Sequence, residues 1–209
     1  MEKINWQDVI DKYSEYQQRP ALELADNEFT ASTLTGCLRQ AVKNKLQLTK
    51  HDKTTLRHFQ VGHMFHKYIQ QDCALGCIGR PMEFEKRVVF EHDGIKIFGH
   101  VDAYDGENVY DFKTTADIKM STRLDVHIGY VYQLSVYMHA LKAKHAYVVY
   151  IAKKNLEIID KEITPYNKDE IAHFCHRVRN ACEIYQKYKR LPDKDKCFVC
   201  AKEFSRRKV

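Results

Sequence analysis

Glycine and proline are scarce in this 209-residue chain, which contains 8 and 4 of them. No low-complexity segment and no internal repeat is visible, so the sequence offers few candidate linkers. We therefore expect one domain over residues 1–209 with a full hydrophobic core. No apolar run is long enough to cross a bilayer, and the N-terminus MEKINWQDVI is too charged for a signal peptide. We expect a soluble, cytoplasmic protein with no membrane partner.

Charge and cysteine content indicate which partners and cofactors remain open. Lysine and arginine number 34 against 28 acidic residues, and the net charge of +6 suits a polyanionic partner. Seven cysteines without a secretory signal argue against a disulfide framework. Cys73 and Cys77 are interpreted as structural or incidental, because nothing at matching range would complete a metal site. Cys197 and Cys200 form a C-x-x-C, which is half of a zinc or iron–sulfur site.

Hydrophobic periodicity predicts an α/β chain with a mixed sheet. The first helix, over residues 4–18, is expected to pack as a flank through Ile4, Val9, Ile10 and Tyr13. Ser32 or Thr33 is expected to cap the second helix, which ends near residue 46. Further helices are predicted over 54–71, 121–143 and 169–188. Strands are predicted over 82–90, 95–101, 109–113, 146–151 and 156–163, with a tight turn at Asp93-Gly94.

Acidic side chains end two neighbouring strands in the segment FGHVDAYDGENVYDFKTT, residues 98–115. Asp102 ends one strand and Asp111 the next, and two such carboxylates can share Mg²⁺ or Mn²⁺. Lys113 lies two residues after Asp111, so both side chains share one strand face. A metal and an ammonium group facing one water could together hydrolyse a phosphodiester. The alternative is that both acids are turn residues and that Lys113 lies on a solvated edge.

The order of these residues resembles a known family. Gly99-x-x-Asp102, a hairpin and Asp111-x-Lys113-Thr114 resemble the core motif of the PD-(D/E)XK nucleases. The surrounding residues resemble the RecB-like exonuclease branch, and the CRISPR-associated protein 4 family in particular. Three more segments match in family order: STLTGCLR around Cys37, Gly62-x-x-x-His66, and Gln133-x-x-x-Tyr137. The resemblance implies a restriction-endonuclease-like αβββαβ core, a mixed sheet flanked by helices, with a terminal metal or iron–sulfur subsite.

The resemblance also implies roles for individual residues. Mn²⁺ or Mg²⁺ would be held by Asp102, Asp111, His66 and the Phe112 carbonyl, and Lys113 would orient the attacking water. On chemistry alone, His58 and His63 compete with His66. Gln133 and Tyr137 would contact the scissile strand or steady the lysine, and the tyrosine ring could stack on a base.

In relatives that carry a cluster, one N-terminal cysteine joins three C-terminal ones. Here Cys37, Cys197 and Cys200 match that pattern and would hold a [4Fe–4S] cluster or zinc between the N-terminal flank 1–50 and the tail 190–209. The third C-terminal cysteine is missing, because the tail continues as AKEFSRRKV. The fourth ligand could come from Cys182, from another residue, or from beyond the end of this sequence.

The expected function is a divalent-metal-dependent DNA exonuclease acting on single-stranded DNA or duplex ends. It would serve CRISPR spacer acquisition beside the integrase, or viral or repair DNA processing, and a homo-oligomer is left open. The main rival is a non-catalytic DNA-binding adaptor with the same fold. A Holliday-junction or restriction endonuclease is the third alternative, which the Gln133-x-x-x-Tyr137 pattern and the terminal cysteines disfavour.

Overall fold

The computed structural model describes residues 5–16, 23–73 and 81–193. Two compact units share the chain: a helical unit of residues 1–23 and 49–79, and a sheet unit of residues 24–48 and 80–209. The expectation of one domain over residues 1–209 stays a prediction. Cys77, Cys197 and Cys200 lie outside the described residues, so the predictions made for them also stay predictions.

The element order follows the α/β pattern predicted from periodicity. The helices are α1 Trp6–Tyr16, α2 Leu38–Lys45, α3 Lys53–Lys67, α4 Ile118–Arg123, α5 Ile128–Leu141 and α6 Lys168–Tyr188. The strands are β1 Glu28–Thr30, β2 Glu83–His92, β3 Ile95–Tyr104, β4 Asn108–Thr115, β5 His145–Ala152 and β6 Ile158–Glu162. A 3₁₀ turn, Ala31–Thr33, precedes α2, and a π-helical segment, Tyr68–Cys73, follows α3. None of the described helices is both long enough and apolar enough to cross a membrane.

A partly buried ion pair joins helices α1 and α3 of the helical unit. Arg57 on α3 donates from Nε and Nη2 to the two carboxylate oxygens of Asp11 on α1, at 2.7 and 2.9 Å. This fork satisfies both oxygens, so the carboxylate can be buried. The predicted apolar packing of α1 is wrong, since Val9, Ile10 and Tyr13 are 46, 51 and 57% exposed whereas Asp11 is buried.

The sheet unit contains one mixed six-stranded sheet. Strands β2 and β3 form an antiparallel hairpin, and Asp93 and Gly94 close it with positive φ angles of 48° and 69°, as the predicted tight turn requires. The other edge of β3 pairs with β1 in parallel at one end and with β4 antiparallel at the other. Strand β5 is parallel to β4, and β6 is antiparallel to β5. The predicted mixed sheet is confirmed, and its core lies against α2, α5 and α6.

Two helix predictions need correction. The single helix expected over 121–143 is two helices, because the chain leaves helical geometry between α4 and α5. The imidazole of His127 restarts the helix there, with Nδ1 accepting the Gly129 N–H at 3.1 Å. Helix α2 begins at Leu38, with Cys37 rather than Ser32 or Thr33 at the N-cap. Gly36, just before this start, has a left-handed φ of +72°, which is outside helical geometry. A Cβ there would lie 2.5 Å from an Ile128 side-chain atom, so the position suits glycine.

Candidate active site

Strands β3 and β4 bring the two predicted acids together. Ala103 pairs with Tyr110, so one further step in the same antiparallel register sets Asp102 opposite Asp111. Oδ2 of Asp102 accepts the backbone N–H of Phe112 at 2.7 Å, which fixes this carboxylate against β4. Asp102 is 8% exposed and Asp111 is 1% exposed. Two carboxylates are therefore buried side by side within the sheet.

Lys113 meets Asp111 on the shared face of β4, as the spacing of two residues predicts. Its Nζ lies 2.6 Å from Oδ2 of Asp111, and its side chain is 23% exposed. Burial acts to lower the pKa of Lys113, but the charges of Asp111 and Asp102 outweigh it, so the pKa is raised above the ordinary lysine value. The two carboxylates therefore favour the charged form of the amine.

One lysine does not balance two buried carboxylates. Burial raises the pKa of Asp102 to about 8, and the negative charge of Asp111 adds to this effect. The Lys113 charge and the Phe112 N–H act in the opposite direction without cancelling it. A second positive charge at this point would relieve the repulsion between the two acids.

A hard divalent cation fits these donors. Within the described part of the chain, the buried Oδ2 of Asp111 accepts no hydrogen bond of regular geometry, and it faces only the ion pair with Lys113. Carboxylate oxygens are the ligands that Mg²⁺ and Mn²⁺ prefer. The residues at this point of the sheet are therefore suited to hold such an ion.

Glu85 is a third acid near the pair, where the sequence allowed Glu83 or Glu85 to approach the metal without identifying either as a ligand. The pairs Phe84 with Ala103 and Lys86 with Val101 set it opposite Asp102, and carboxylate oxygens of the two residues lie within 4.8 Å. Its φ of 48° is left-handed, which is uncommon for a non-glycine residue inside a strand. The sequence signal for Glu85 is weak, because Glu83 lies two residues away on the same strand face and matches it in type.

Helix α5 supplies the next contacts. Nε2 of Gln133 donates to Oδ1 of Asp111 at 3.1 Å and to the Tyr137 hydroxyl at 2.9 Å. Residues four apart share a helix face, so the spacing alone sets these two side chains in line. Gln133 thus reaches Asp111, whereas the sequence analysis expected contact with the scissile strand or Lys113.

Tyr137 is buried, with 3% exposure. Burial raises the pKa of its hydroxyl, so the phenol is neutral. A Cβ on Gly99 would lie 2.4 Å from Cε1 of the Tyr137 ring, which gives the first residue of the Gly99-x-x-Asp102 pattern a packing role. Because the ring is covered, stacking on a base is not open to it in this structure, and that expectation is corrected.

The sequence also points to metal ligation by four more of the described residues, namely His66, Phe112, Cys37 and, as one option for a fourth cysteine ligand, Cys182. His66 is on α3 in the helical unit, and its ligation of the metal stays a prediction. So does the role of the Phe112 carbonyl. Cys37 is 1% exposed at the N-cap of α2, and Cys182 is buried on α6. Burial raises the pKa of Cys182 to about 11 in the absence of metal, and its role as a ligand stays a prediction.

Comparisons with known proteins agree with this arrangement. Residues 9–203 match the family model described as the PD-(D/E)XK nuclease superfamily. A search of curated proteins finds no significant match. The crystal structure of SSO0001 is similar with a TM-score of 0.63 and 18% identity, over 83% of this chain and 85% of that one.

Two further solved structures are more distant. The alkaline exonuclease LHK-Exo from Laribacter hongkongensis gives a TM-score of 0.49 at 13% identity, over 77% of this chain and 92% of that one. A putative exonuclease from Eubacterium rectale gives 0.49 at 13% identity, over 87% of this chain and 94% of that one. The SSO0001 likeness supports the fold, and the family model covers nearly the whole chain. The chain therefore belongs to the PD-(D/E)XK nuclease superfamily.

Proposed function

We propose that this protein is a divalent-metal-dependent deoxyribonuclease that degrades DNA from an end. The observation that carries the proposal is the buried pair Asp102 and Asp111 with Lys113 Nζ 2.6 Å from Asp111. Two buried acids of which one contacts an ammonium group are costly without a use for them, because desolvation and mutual repulsion both oppose their charges. Phosphodiester hydrolysis gives such a cluster a use.

Asp102 and Asp111 would hold Mg²⁺ or Mn²⁺, with the Phe112 carbonyl, His66 and Glu85 as further proposed donors. Such an ion, when bound, lowers the pKa of a water ligand and offsets charge on the phosphate oxygens. Within the protein, the Phe112 N–H fixes the Asp102 carboxylate and Gln133 fixes Asp111. These bonds hold the acids in one orientation before DNA arrives, which is the pre-organisation that phosphoryl transfer depends on.

Lys113 would act on the attacking water. Its ammonium can donate a hydrogen bond to the water oxygen and orient a lone pair toward phosphorus. Because the nearby carboxylates keep it charged, it would act by orientation and by offsetting negative charge, and another acceptor must take the water proton. The proposed role of Lys113 is thus electrostatic.

The family and the charge support the proposed substrate class. A net charge of +6 suits a polyanion, and the motif resemblance favours single-stranded DNA or duplex ends. CRISPR spacer acquisition beside an integrase, viral DNA processing and DNA repair are the contexts we propose for this activity.

We also propose that Cys37, Cys197 and Cys200 hold an iron–sulfur cluster or zinc. The support is that Nη1 of Arg39, in the first turn of α2, donates to the Pro192 carbonyl at 2.7 Å. Pro192, near the start of the tail, therefore lies beside α2, the helix that Cys37 caps. Five residues span up to about 17 Å, which is the farthest that Cys197 can lie from Pro192. Iron, acid-labile sulfide and zinc should be measured in anaerobically purified wild type and in Cys37→Ala; equal content in both would contradict the proposal.

Nuclease activity is tested with end-labelled single- and double-stranded DNA in Mn²⁺, in Mg²⁺ and in EDTA. Wild type should produce a ladder from one end in metal only, and Lys113→Ala should lose it. The matched control is Lys168→Ala, an exposed lysine at the start of α6, which should cut normally. Retention of DNA without cleavage in every metal, with Lys113→Ala indistinguishable from wild type, would refute the enzyme and favour the adaptor.

A further inference from the structure

Helix α5 places a third side chain, that of Tyr130, beside Asp111 and Lys113. The Tyr130 ring lies beneath Lys113, with Nζ 5.0 Å from the ring centroid. Positions 130, 133 and 137 are spaced i, i+3 and i+7, so Tyr130 shares the helix face of Gln133 and Tyr137. One face of α5 therefore contacts both Asp111 and Lys113, through two different residues.

Lys113 is surrounded by groups that differ in what they can do. Asp111 attracts the ammonium group through a charged oxygen at 2.6 Å. Tyr150 is the register partner of Lys113 on β5, so its side chain stands on the same sheet face. The Tyr130 ring attracts the ammonium group by its negative face, within the range of a cation–π contact. Burial raises the pKa of the Tyr130 hydroxyl, so the ring stays a neutral phenol.

A ring is useful at this point because of the lysine's own chemistry. Four rotatable bonds give the ammonium group many positions. Asp111 alone would attract the ammonium group to a carboxylate oxygen without fixing the direction in which the group points. A ring face adds attraction from a second side without supplying a lone pair that competes for the ammonium hydrogens.

We propose that Tyr130 is a positioning residue that holds the Lys113 ammonium group, through its ring face, in the direction required to orient the attacking water. The inference rests on the proposed function, because it assigns a partner to the proposed Lys113 role. It names the ring as the active feature, so the hydroxyl is dispensable.

The test compares single-turnover cleavage of end-labelled DNA by full-length variants in Mn²⁺. Tyr130→Phe keeps the ring and should cleave within about 2-fold of wild type. Tyr130→Leu should lose about 3- to 30-fold in kcat with KM nearly unchanged, the range that a partly desolvated cation–π contact spans. Phenylalanines with one, three and five ring fluorines at position 130 should lower kcat stepwise. Fluorine withdraws electron density from the ring face and so weakens the cation–π attraction, while the shape of the ring stays nearly constant.

The matched control is Tyr188→Leu on α6, where Lys187 Nζ also lies 5.0 Å from a tyrosine centroid. It should leave kcat unchanged. A flat kcat across the fluorinated series would overturn the inference, even if Tyr130→Leu folded poorly. A rise in KM alone would also overturn it, since that would make Tyr130 a DNA contact. Failure of the proposed nuclease function would give a different result: wild type would not cut DNA, or Lys113→Ala would still cut it.

Discussion

Gly99→Ala should destabilise the protein and disturb the acid pair, although the change adds one methyl group. The new Cβ would lie 2.4 Å from Cε1 of Tyr137 and 3.2 Å from its Cζ and hydroxyl oxygen. Ordinary carbon contacts begin near 3.5 Å, so the ring must move by about 1 Å. The ring is 3% exposed and Gln133 holds its hydroxyl, so movement is passed on to the amide that binds Asp111.

The expected loss follows from two opposing effects. Forcing a methyl group into a packed interior typically costs about 1–3 kcal/mol. Replacing glycine by alanine recovers about 0.4–1 kcal/mol by restricting the unfolded chain. A net loss of about 1–2 kcal/mol in the free energy of unfolding should remain, and Tm should fall by about 2–8 °C for a chain of this size.

Urea unfolding followed by circular dichroism, with a cleavage assay in parallel, measures both consequences. Gly62→Ala is the stability control, because an added Cβ there meets nothing within 4 Å among the described residues. It should be neutral or slightly stabilising, as alanine favours helix. Tyr137→Leu removes the clashing ring, so Gly99→Ala in that background should cost at least about 1 kcal/mol less than in wild type. Equal costs in the two backgrounds, or a Gly99→Ala variant with normal stability and cleavage, would refute the packing argument.

Two further predictions concern the charges. In EDTA, Asp102→Asn should be more stable than wild type at pH 8, and the gain should shrink toward pH 4. The folded protein raises the pKa of Asp102 to about 8, so ionisation costs stability as pH rises from the unfolded value of about 4 to 8. The gain should exceed about 1 kcal/mol by thermal unfolding, and added Mn²⁺ should stabilise wild type more than the variant; equal stability in EDTA at both pH values would contradict this. Gln133→Leu should lower single-turnover kcat by about 10- to 100-fold, because the charged Oδ1 of buried Asp111 loses a hydrogen bond. Tyr137→Phe keeps that bond and should lower kcat less. Equal losses in the two variants would mean that the Tyr137 hydroxyl, and not the bond to Asp111, is responsible.

The local chemistry of the sequence was sufficient for the central strands. Alternating apolar residues and the Asp93-Gly94 turn predicted the β2–β3 hairpin, whose pairing is set by neighbours in the chain. The spacing of Asp111 and Lys113 predicted their contact, since alternate residues of a strand share a face. The spacing of Gln133 and Tyr137 likewise predicted a shared helix face. These are properties of periods of 2 and 3.6, which every strand and helix imposes on its own residues.

Contacts distant in sequence are where local reasoning failed. The periodic apolar pattern over 121–143 continues through the break at His127, so nothing in the pattern marks it. The exposed Val9, Ile10 and Tyr13 form an apolar set by spacing, yet the structure buries Asp11 instead, because Arg57, 46 residues away, satisfies that carboxylate. A pattern of hydrophobicity does not predict which distant residue will offset the desolvation of a buried charge.

The sequence by itself determined the strands and the face on which Asp111 and Lys113 meet, because these depend on neighbours in the chain. Tertiary structure alone decided that Asp102 lies against Phe112, that Glu85 approaches it, and that Tyr130 lies under Lys113. It also decided that Tyr137 is buried against Gly99 and has no face for a base. Each of these depends on strand register and on where α5 packs on the sheet, which are set by the summed burial of many side chains rather than by any one segment.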